Sequence, residues 1–235
     1  AGLAGSLCAL YLTKRGHKVA IYERRNDLRT EIITAGKSIN LALSKRGLTA
    51  LKKVGVDAEV MKIAIPMDKR IMHDDKGNLT EQLYGNQGQA IYSVSRAQLN
   101  VLMMKLAAKN GADLYFNEKC VEANLEQASV VFENTNTNQK QTVTSDLIIG
   151  ADGAFSAVKK QKVGQYDNDF NYNKIEHDYN ELHIPAGKNG AFFLDKNALH
   201  IWPRGEFMLI ALANLDGSFT CTLFAPKKGE KSFEG

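Results

Sequence analysis

The chain opens on Ala1-Gly2-Leu3-Ala4-Gly5-Ser6 and passes directly into a helix-like stretch. Gly2 and Gly5 have the spacing of the second and third glycines of Gly-x-Gly-x-x-Gly, which places the first just before Ala1. Glycine at these points lets the backbone come close to a pyrophosphate, whose charge is met by unpaired N–H groups and the positive end of a helix dipole. Leu3, Leu7, Leu10 and Tyr11 then recur at helical spacing, and Gly16 marks the stop. The strand Val19-Ala20-Ile21-Tyr22 follows and ends at Glu23, 18 residues after Gly5. That lies near the position, about 20 residues on, of the acid that receives ribose hydroxyls in dinucleotide-binding βαβ units. A small-residue helix start packed on a sheet is the competing structural reading. The order of loop, helix, strand and acid favours a dinucleotide. A carboxylate at Glu23 disfavours a 2′-phosphate, although Arg24 and Arg25 beside it are able to pair with phosphate.

Composition removes several other classes. The sequence has 235 residues, 44% of them hydrophobic, with 30 Lys and Arg against 26 Asp and Glu. This is globular composition with room for one large or two smaller domains. A net charge of +4 with interleaved signs gives no electrostatic footprint for nucleic acid. No apolar run reaches the length of a membrane helix and no secretory leader is visible, so a cytoplasmic protein is expected. Cys8, Cys120 and Cys221 are far apart and odd in number, which fits a reducing compartment. The five histidines show no metal-ligand spacing, and His73-Asp74-Asp75 reads as a solvated turn, so no metal is expected. The glycine loop is entered partway and the last strand-like run is followed by nothing that closes the fold. The sequence is therefore expected to be a fragment lacking the first strand and a C-terminal part.

Further along, Ser38 to Leu43 reads as a strand, Ser44 as the cap of a helix to Leu51, and Asp57 as the cap of another to Ile63. Ile71 to His73, Leu79 to Tyr84 and Ala90 to Val94 look like a small antiparallel excursion. Ser95 begins a helix with Leu99, Leu102, Met103 and Leu106 on one face and Gly111 as its stop. Short strands are expected over 113–116, 120–125 and 129–133, with a polar hairpin tip at 134–139. Leu147-Ile148-Ile149-Gly150 has the continuous apolar character of a strand buried on both faces. From Tyr166 onward helical periodicity vanishes, and strands are expected at 182–184, 191–194, 199–202, 207–212 and 219–224. The fold class is thus α/β, a Rossmann-like dinucleotide-binding domain with a β-rich antiparallel partner.

The segment Asp146-Leu147-Ile148-Ile149-Gly150-Ala151-Asp152-Gly153 is, as plain structure, a strand end turning into a helix with Asp152 as its cap. Together with the first loop it resembles the Asp-Gly fingerprint of the flavin-dependent aromatic hydroxylases. Lys159 departs from that pattern, where the family has Arg; the charge survives but not a bidentate contact. A narrower resemblance, to the members that hydroxylate L-kynurenine, runs through essentially the whole sequence. Gly36 to Ser44, Ile65-Pro66-Met67 with Arg70, Tyr92 to Arg96, Leu199 to Arg204 and Ser218 to Phe224 carry it. Asp68 and Ala213 depart, where a basic residue and a proline are expected.

The resemblance implies bound FAD, NADPH as a transient reductant, and O2 activated as a flavin hydroperoxide for hydroxylation of L-kynurenine at the 3-position. It implies a discontinuous FAD-binding domain, 1–65 with 92–165, and a β-rich substrate domain, 66–91 with 166–235. Gly2 and Gly5 then approach the FAD pyrophosphate, Glu23 its ribose, and Arg25 and Ala42 lie beside it. Arg96 reaches the flavin or phosphate, the strand backbone at Cys120 meets the adenine, and Asp152 bonds near the pyrophosphate or ribityl chain. Arg70 and Tyr84 clamp the substrate carboxylate with a guanidinium fork and a hydroxyl. Leu199, Met208, Ile210, Leu212 and Phe224 alternate along strands and wall the aromatic ring. Their other reading is ordinary sheet core. No side chain is implied as an acid, base or covalent catalyst, since the cofactor carries the chemistry. A flavin hydroxylase of another aromatic acid, a flavin reductase and a non-catalytic nucleotide-binding protein remain the alternatives.

Overall fold

The computed structural model describes residues 1–31, 39–163, 173 and 175–234. The chain divides into two compact units, Ala1–Ile32 with Asn100–Asn173 and Ile33–Leu99 with Lys174–Gly235. The division falls within a helix, α4 (Arg96–Lys109). Its start is capped by the Ser95 hydroxyl, which accepts from the Gln98 N–H, and Gly111 follows it at φ 93°, a left-handed conformation open to glycine. Leu99, Met103, Met104 and Ala107 are buried along it.

In the first unit, α1 (Leu3–Thr13) buries Ser6, Ala9 and Leu10. The chain turns at Gly16 into β1 (Val19–Glu23), which runs parallel to β7 (Ala112–Phe116), with Glu23 opposite Phe116. An antiparallel sheet of β8 (Glu118–Asn124), β9 (Ser129–Asn134) and β10 (Lys140–Thr144) stands in the order β10-β9-β8. Its buried Ala123, Val130 and Phe132 receive Tyr22, Ile148 and Val158. Tyr22 stacks between Tyr115 and Phe132 at ring-centroid distances of 4.8 and 4.1 Å. The helix α5 (Ala157–Val163) follows the second glycine-containing loop.

Two expectations for this unit change. Leu147 to Gly150 is not a strand: Leu147 is 69% and Ile149 48% exposed, and only Ile148 packs inward. A strand buried on both faces needs pairing partners, and among the described residues no strand pairs with this run; the Leu147 carbonyl is met locally by the Ser145 hydroxyl at 3.0 Å. Lys140–Thr144, not anticipated as a strand, pairs with β9 from Lys140↔Glu133 to Thr144↔Ser129. Being an exposed polar edge strand, it has no alternation to read.

In the second unit, β2 (Asn40–Leu43), β6 (Ile91–Ser95) and β3 (Ala64–Met67) form an antiparallel sheet in the order β2-β6-β3, accompanied by α2 (Lys45–Lys53) and α3 (Asp57–Met61). Ser44 stands at the N-cap of α2 without a capping hydrogen bond, and Val56, not Asp57, precedes α3. The larger sheet has the order β11-β14-β13-β12-β4-β5. Its strands are β4 (Lys69–His73), β5 (Leu79–Leu83), β11 (His177–Ile184), β12 (Ala198–Arg204), β13 (Phe207–Ala213) and β14 (Phe219–Pro226). Residues 191–194, expected as a strand, are irregular; Phe192 and Leu194 are apolar because they pack on the core of Ala211, Ala213, Phe219 and Cys221. A buried polar knot links the two sheets of this unit. Asn40 Nδ2 donates to Ser93 Oγ (3.2 Å), the Ala213 carbonyl (3.3 Å) and Asn214 Oδ1 (2.8 Å), while the Ser93 hydroxyl donates to the Ala213 carbonyl at 2.8 Å. Burying these groups is tolerable because they satisfy one another.

Candidate functional site

The first unit holds Gly2, Gly5, Glu23, Arg25, Cys120 and Asp152. Gly2 is the extended residue before α1, and no side chain caps that helix or places an acid in its first turn. A Cβ added at Gly2 would meet nothing within 4 Å, so the helix end is open in front of it. Gly5 is different: a Cβ there would lie 3.4 Å from Ala151 Cβ. The first loop thus rests against the second fingerprint, and the two motifs singled out from the sequence meet. Ser6 Oγ is buried with no hydrogen-bond partner among the described residues. An uncapped positive helix end, open glycine backbone and an unpaired hydroxyl fit the pyrophosphate of a dinucleotide.

Glu23 closes β1 and is almost fully engaged within the chain. Arg25 donates from its backbone N–H and from Nε to Oε1 at 3.1 and 2.8 Å, and from Nη2 to Oε2 at 3.0 Å. Burial raises the carboxyl pKa, but the Arg25 hydrogen bonds hold it below the usual carboxylate range. The sequence reading set Arg25 beside a cofactor. The structure adds that it holds the acid, and a ribose hydroxyl would have to share or displace one of these donors.

Asp152 is likewise used locally. Oδ2 accepts from the N–H groups of Ala157 (2.6 Å) and Val158 (3.2 Å), and Oδ1 accepts from the Ser156 hydroxyl at 2.6 Å. The plain capping role read from the sequence is therefore realised at the start of α5. Burial raises its pKa, yet these donors hold it below the usual carboxylate range. Cys120 lies on β8 at a bulge, its thiol pushed up by burial and then by the charge of Asp152, which places the two close together. An inert thiol of this kind leaves the strand backbone as the useful part.

The second unit holds the remaining residues. Ala42 is exposed on β2 opposite Ser93, and Arg96 is exposed at the first position of α4, its N–H donating to the carbonyl of Ile39, the residue before β2. On the larger sheet the register gathers the substrate candidates on one face. Leu199 is opposite Arg70, Ile210 opposite Thr222, Leu212 opposite Thr220, and Met208 opposite Phe224. Paired residues share a face. Met72 and Ile201, paired with each other, lie on this same face; so do Thr220 and Thr222. None of the four was picked out in the sequence, although the alternation around Leu199 and Ile210 was a signal for Ile201. The wall is closed at Leu212, which is 2% exposed, and open at Met208, which is 37% exposed.

Arg70 lies on β4, between β12 and the edge strand β5, and Tyr84 directly follows β5, its N–H donating to the Asp68 carbonyl. The Tyr84 hydroxyl is pushed up by burial, against which the Arg70 charge works. The Arg70 fork is already engaged: Nε and Nη2 both donate to Gln82 Oε1, at 2.8 and 2.5 Å. Gln82 was not anticipated because its role depends on a cross-strand register.

The opposite face of the sheet carries a histidine pair. His73 Nε2 and His200 Nδ1 are 2.9 Å apart, His200 Nε2 is 2.9 Å from the Asp195 carbonyl, and His73 stacks on Trp202 at 4.0 Å. A carbonyl only accepts, so His200 carries its proton on Nε2 and accepts at Nδ1 from His73. His73 is therefore not part of the solvated turn, whereas Asp74 is, accepting from the N–H groups of Lys76 and Asn78. Among the described residues no cluster of three or more His, Cys, Asp or Glu could hold a metal, and no helix is long and apolar enough to cross a membrane.

Residues 1–173 match the family model described as FAD binding domain. The chain is 50% identical over 237 residues to the kynurenine 3-monooxygenase of Flavobacterium psychrophilum, covering 99% of this chain and 52% of that protein. It is 46% identical over 227 residues to the kynurenine 3-monooxygenase of Anopheles gambiae, covering 96% and 47%. The chain thus spans about half the length of the curated relatives it matches. Among solved structures, a flavoprotein/dehydrogenase from Cytophaga hutchinsonii aligns with a TM-score of 0.72 at 16% identity, over 95% of this chain and 54% of that one. The tetrameric form of 2-methyl-3-hydroxypyridine-5-carboxylic acid oxygenase aligns with a TM-score of 0.70 at 19% identity, over 96% and 57%. These likenesses concern the fold, and they agree with the α/β arrangement of a flavin-binding part and antiparallel sheet.

Proposed function

The chain belongs to the FAD binding domain family, and on that premise we propose that it forms part of an FAD-dependent monooxygenase that hydroxylates L-kynurenine at the 3-position, with NADPH and O2 as co-substrates. The observation that carries this reading is the identity to kynurenine 3-monooxygenases along nearly the whole chain. The site geometry supports it: a cation, a phenol and an apolar wall on one sheet face suit an amino acid with an aromatic side chain. A wider assignment of 1–65 with 92–165 to the flavin and 66–91 with 166–235 to the substrate belongs to the same proposal, as does a cytoplasmic location.

When bound, FAD supplies the redox and oxygen-activating chemistry. The chain's own residues bind, orient and exclude water. The backbone at Gly2 and Gly5 and the open end of α1 receive the pyrophosphate charge. Glu23, kept ionised by Arg25, accepts from ribose hydroxyls; Ala42, Arg96, the strand at Cys120 and Asp152 complete the cofactor contacts. Arg70 and Tyr84 fix the substrate carboxylate, and Leu199, Met208, Ile210, Leu212 and Phe224 hold the ring in a dry environment, where positioning counts most. No residue is assigned proton transfer.

The test is to purify the protein, record its absorption near about 450 nm, where flavins absorb, and follow NADPH oxidation with a panel of aromatic amino acids and acids. The expected outcome is a yellow protein whose NADPH oxidation yields 3-hydroxykynurenine with L-kynurenine alone. A colourless protein, or turnover of a different aromatic acid, would overturn the assignment.

A further inference from the structure

We propose that Gln82 is a positioning residue that turns the Arg70 guanidinium so that its outer edge faces the carboxylate of the substrate. The inference rests on the reading of Arg70 as the carboxylate clamp and adds to it a residue that the sequence motifs did not carry.

A guanidinium presents two edges able to grip a carboxylate with paired hydrogen bonds, one formed by Nε and Nη2 and one by Nη1 and Nη2. In this chain the first edge is taken. Gln82 Oε1 accepts from both Nε (2.8 Å) and Nη2 (2.5 Å), and the two residues are directly opposite in the β4–β5 register. A long, partly exposed arginine side chain with no partner samples many rotamers. One held along a whole edge by a cross-strand partner does not, and its remaining edge, Nη1 with the second N–H of Nη2, points away from Gln82 as the only paired-donor face left. Tyr84 lies two residues beyond Gln82, close enough to feel the Arg70 charge, so fork and hydroxyl are set by one short stretch of chain. The acceptor is an amide, which matters. A carboxylate in its place would make the same two bonds and also neutralise the cation, weakening its pull on a negatively charged ligand. An amide orients without discharging.

The other role for such a pair is ordinary cross-strand stabilisation of an edge strand. The two roles differ in how they depend on the ligand. The experiment uses the flavin-loaded protein and measures equilibrium dissociation constants, with KM and kcat alongside, for L-kynurenine and for its decarboxylated amine. Gln82→Met keeps length and removes the acceptor. The expected result is about a five- to tenfold weaker Kd for L-kynurenine, with kcat within about twofold and the decarboxylated amine little affected, in line with loss of an orienting bond to a charged group. Gln82→Glu, which keeps the bonds but discharges the fork, is expected to weaken L-kynurenine at least as much, again sparing the amine. Thermal unfolding and flavin content of both variants report folding, and Gln82→Ala substitutes for either that misfolds. An equal effect on both ligands, or none on either, overturns the proposal. Arg70→Met in the same assay separates the two layers. If it leaves L-kynurenine binding unchanged, the clamp reading falls and takes this inference with it. If it weakens binding and the Gln82 variants do not, only the inference falls.

Discussion

The acids of the first unit and the clamp of the second contrast in what the chain already does with them. Glu23 and Asp152 have nearly every acceptor position filled by donors of their own unit, so each is part of local structure before any ligand arrives. Arg70 on the second unit is held along one edge only, and the wall beside it opens toward Met208. A carboxylate that must stay ionised while half-buried needs compensation from the protein. A guanidinium that Gln82 grips along one edge without neutralising it keeps its charge partly uncommitted for a ligand. The difference implies that changing Glu23 costs stability, whereas changing Arg70 costs substrate.

The larger effect is expected at Arg70. Arg70→Met removes a charge-assisted, paired contact and should weaken L-kynurenine about 10- to 100-fold, with flavin content retained and thermal stability within about 0.5 kcal/mol of the parent. Loss of flavin, or a large drop in Tm, would erase the contrast. At Glu23 the pattern should invert. Glu23→Gln leaves the Arg25 guanidinium without its counter-charge and should destabilise the flavin-free protein by about 1–2 kcal/mol, less than for a fully buried pair because Arg25 is 49% exposed. Calorimetry of the flavin-free variant reads this directly. An unchanged unfolding temperature would mean that the intrachain partners of Glu23 contribute nothing and that the acid is held for the ligand alone.

How far these arrangements could be read from the sequence follows from how local each one is. α1 and α4 were legible because their apolar spacing and glycine stops lie within a few residues of each other. β12, β13 and β14 were legible because alternation on a half-buried sheet is local too, and it puts Met208, Ile210 and Leu212 on one face; that Leu199 and Phe224 share it came from the family resemblance and is given by the strand register. The run at Leu147 to Ile149 misled, because apolar character fixes what a strand needs but not whether neighbours are there to pair with it. Residues 191–194 misled for a related reason: Phe192 and Leu194 are apolar to cover a core, and packing does not require a ladder. The capping role of Asp152 was visible because a cap is short-range. Gln82, by contrast, acts across a register, and the grip of Arg25 on Glu23 depends on side-chain geometry, so neither has a signature in spacing.

pH sharpens the contrast between the units by the smallest margin. Glu23 and Asp152 are both held low and stay ionised throughout the neutral and mildly acidic range, so they give the first unit no pH dependence there. In the second unit His73 and His200 are both pushed below the ordinary imidazole value of 6.5. Burial is the largest cause for each. For His73 the charges of His200 and Arg204 add to it; for His200 the carbonyl and charge of Asp195 oppose it, and Lys69 adds to it. With the folded pKa depressed, the unfolded chain binds more protons than the folded one once pH drops below about 6.5. The stability of the neutral pair is therefore complete above that value and is lost as pH falls through the folded pKa values. Protonating His200 also puts a second N–H at Nδ1, facing the N–H that His73 now donates, and the 2.9 Å bond cannot survive in that form. Between pH 7.5 and 5.5 the Tm should fall by about 2–4 °C, and His200→Gln should flatten that slope while lowering Tm at pH 7.5. A slope equally steep in the variant would place the acid sensitivity outside the histidine pair and leave the second unit no more pH-dependent than the first.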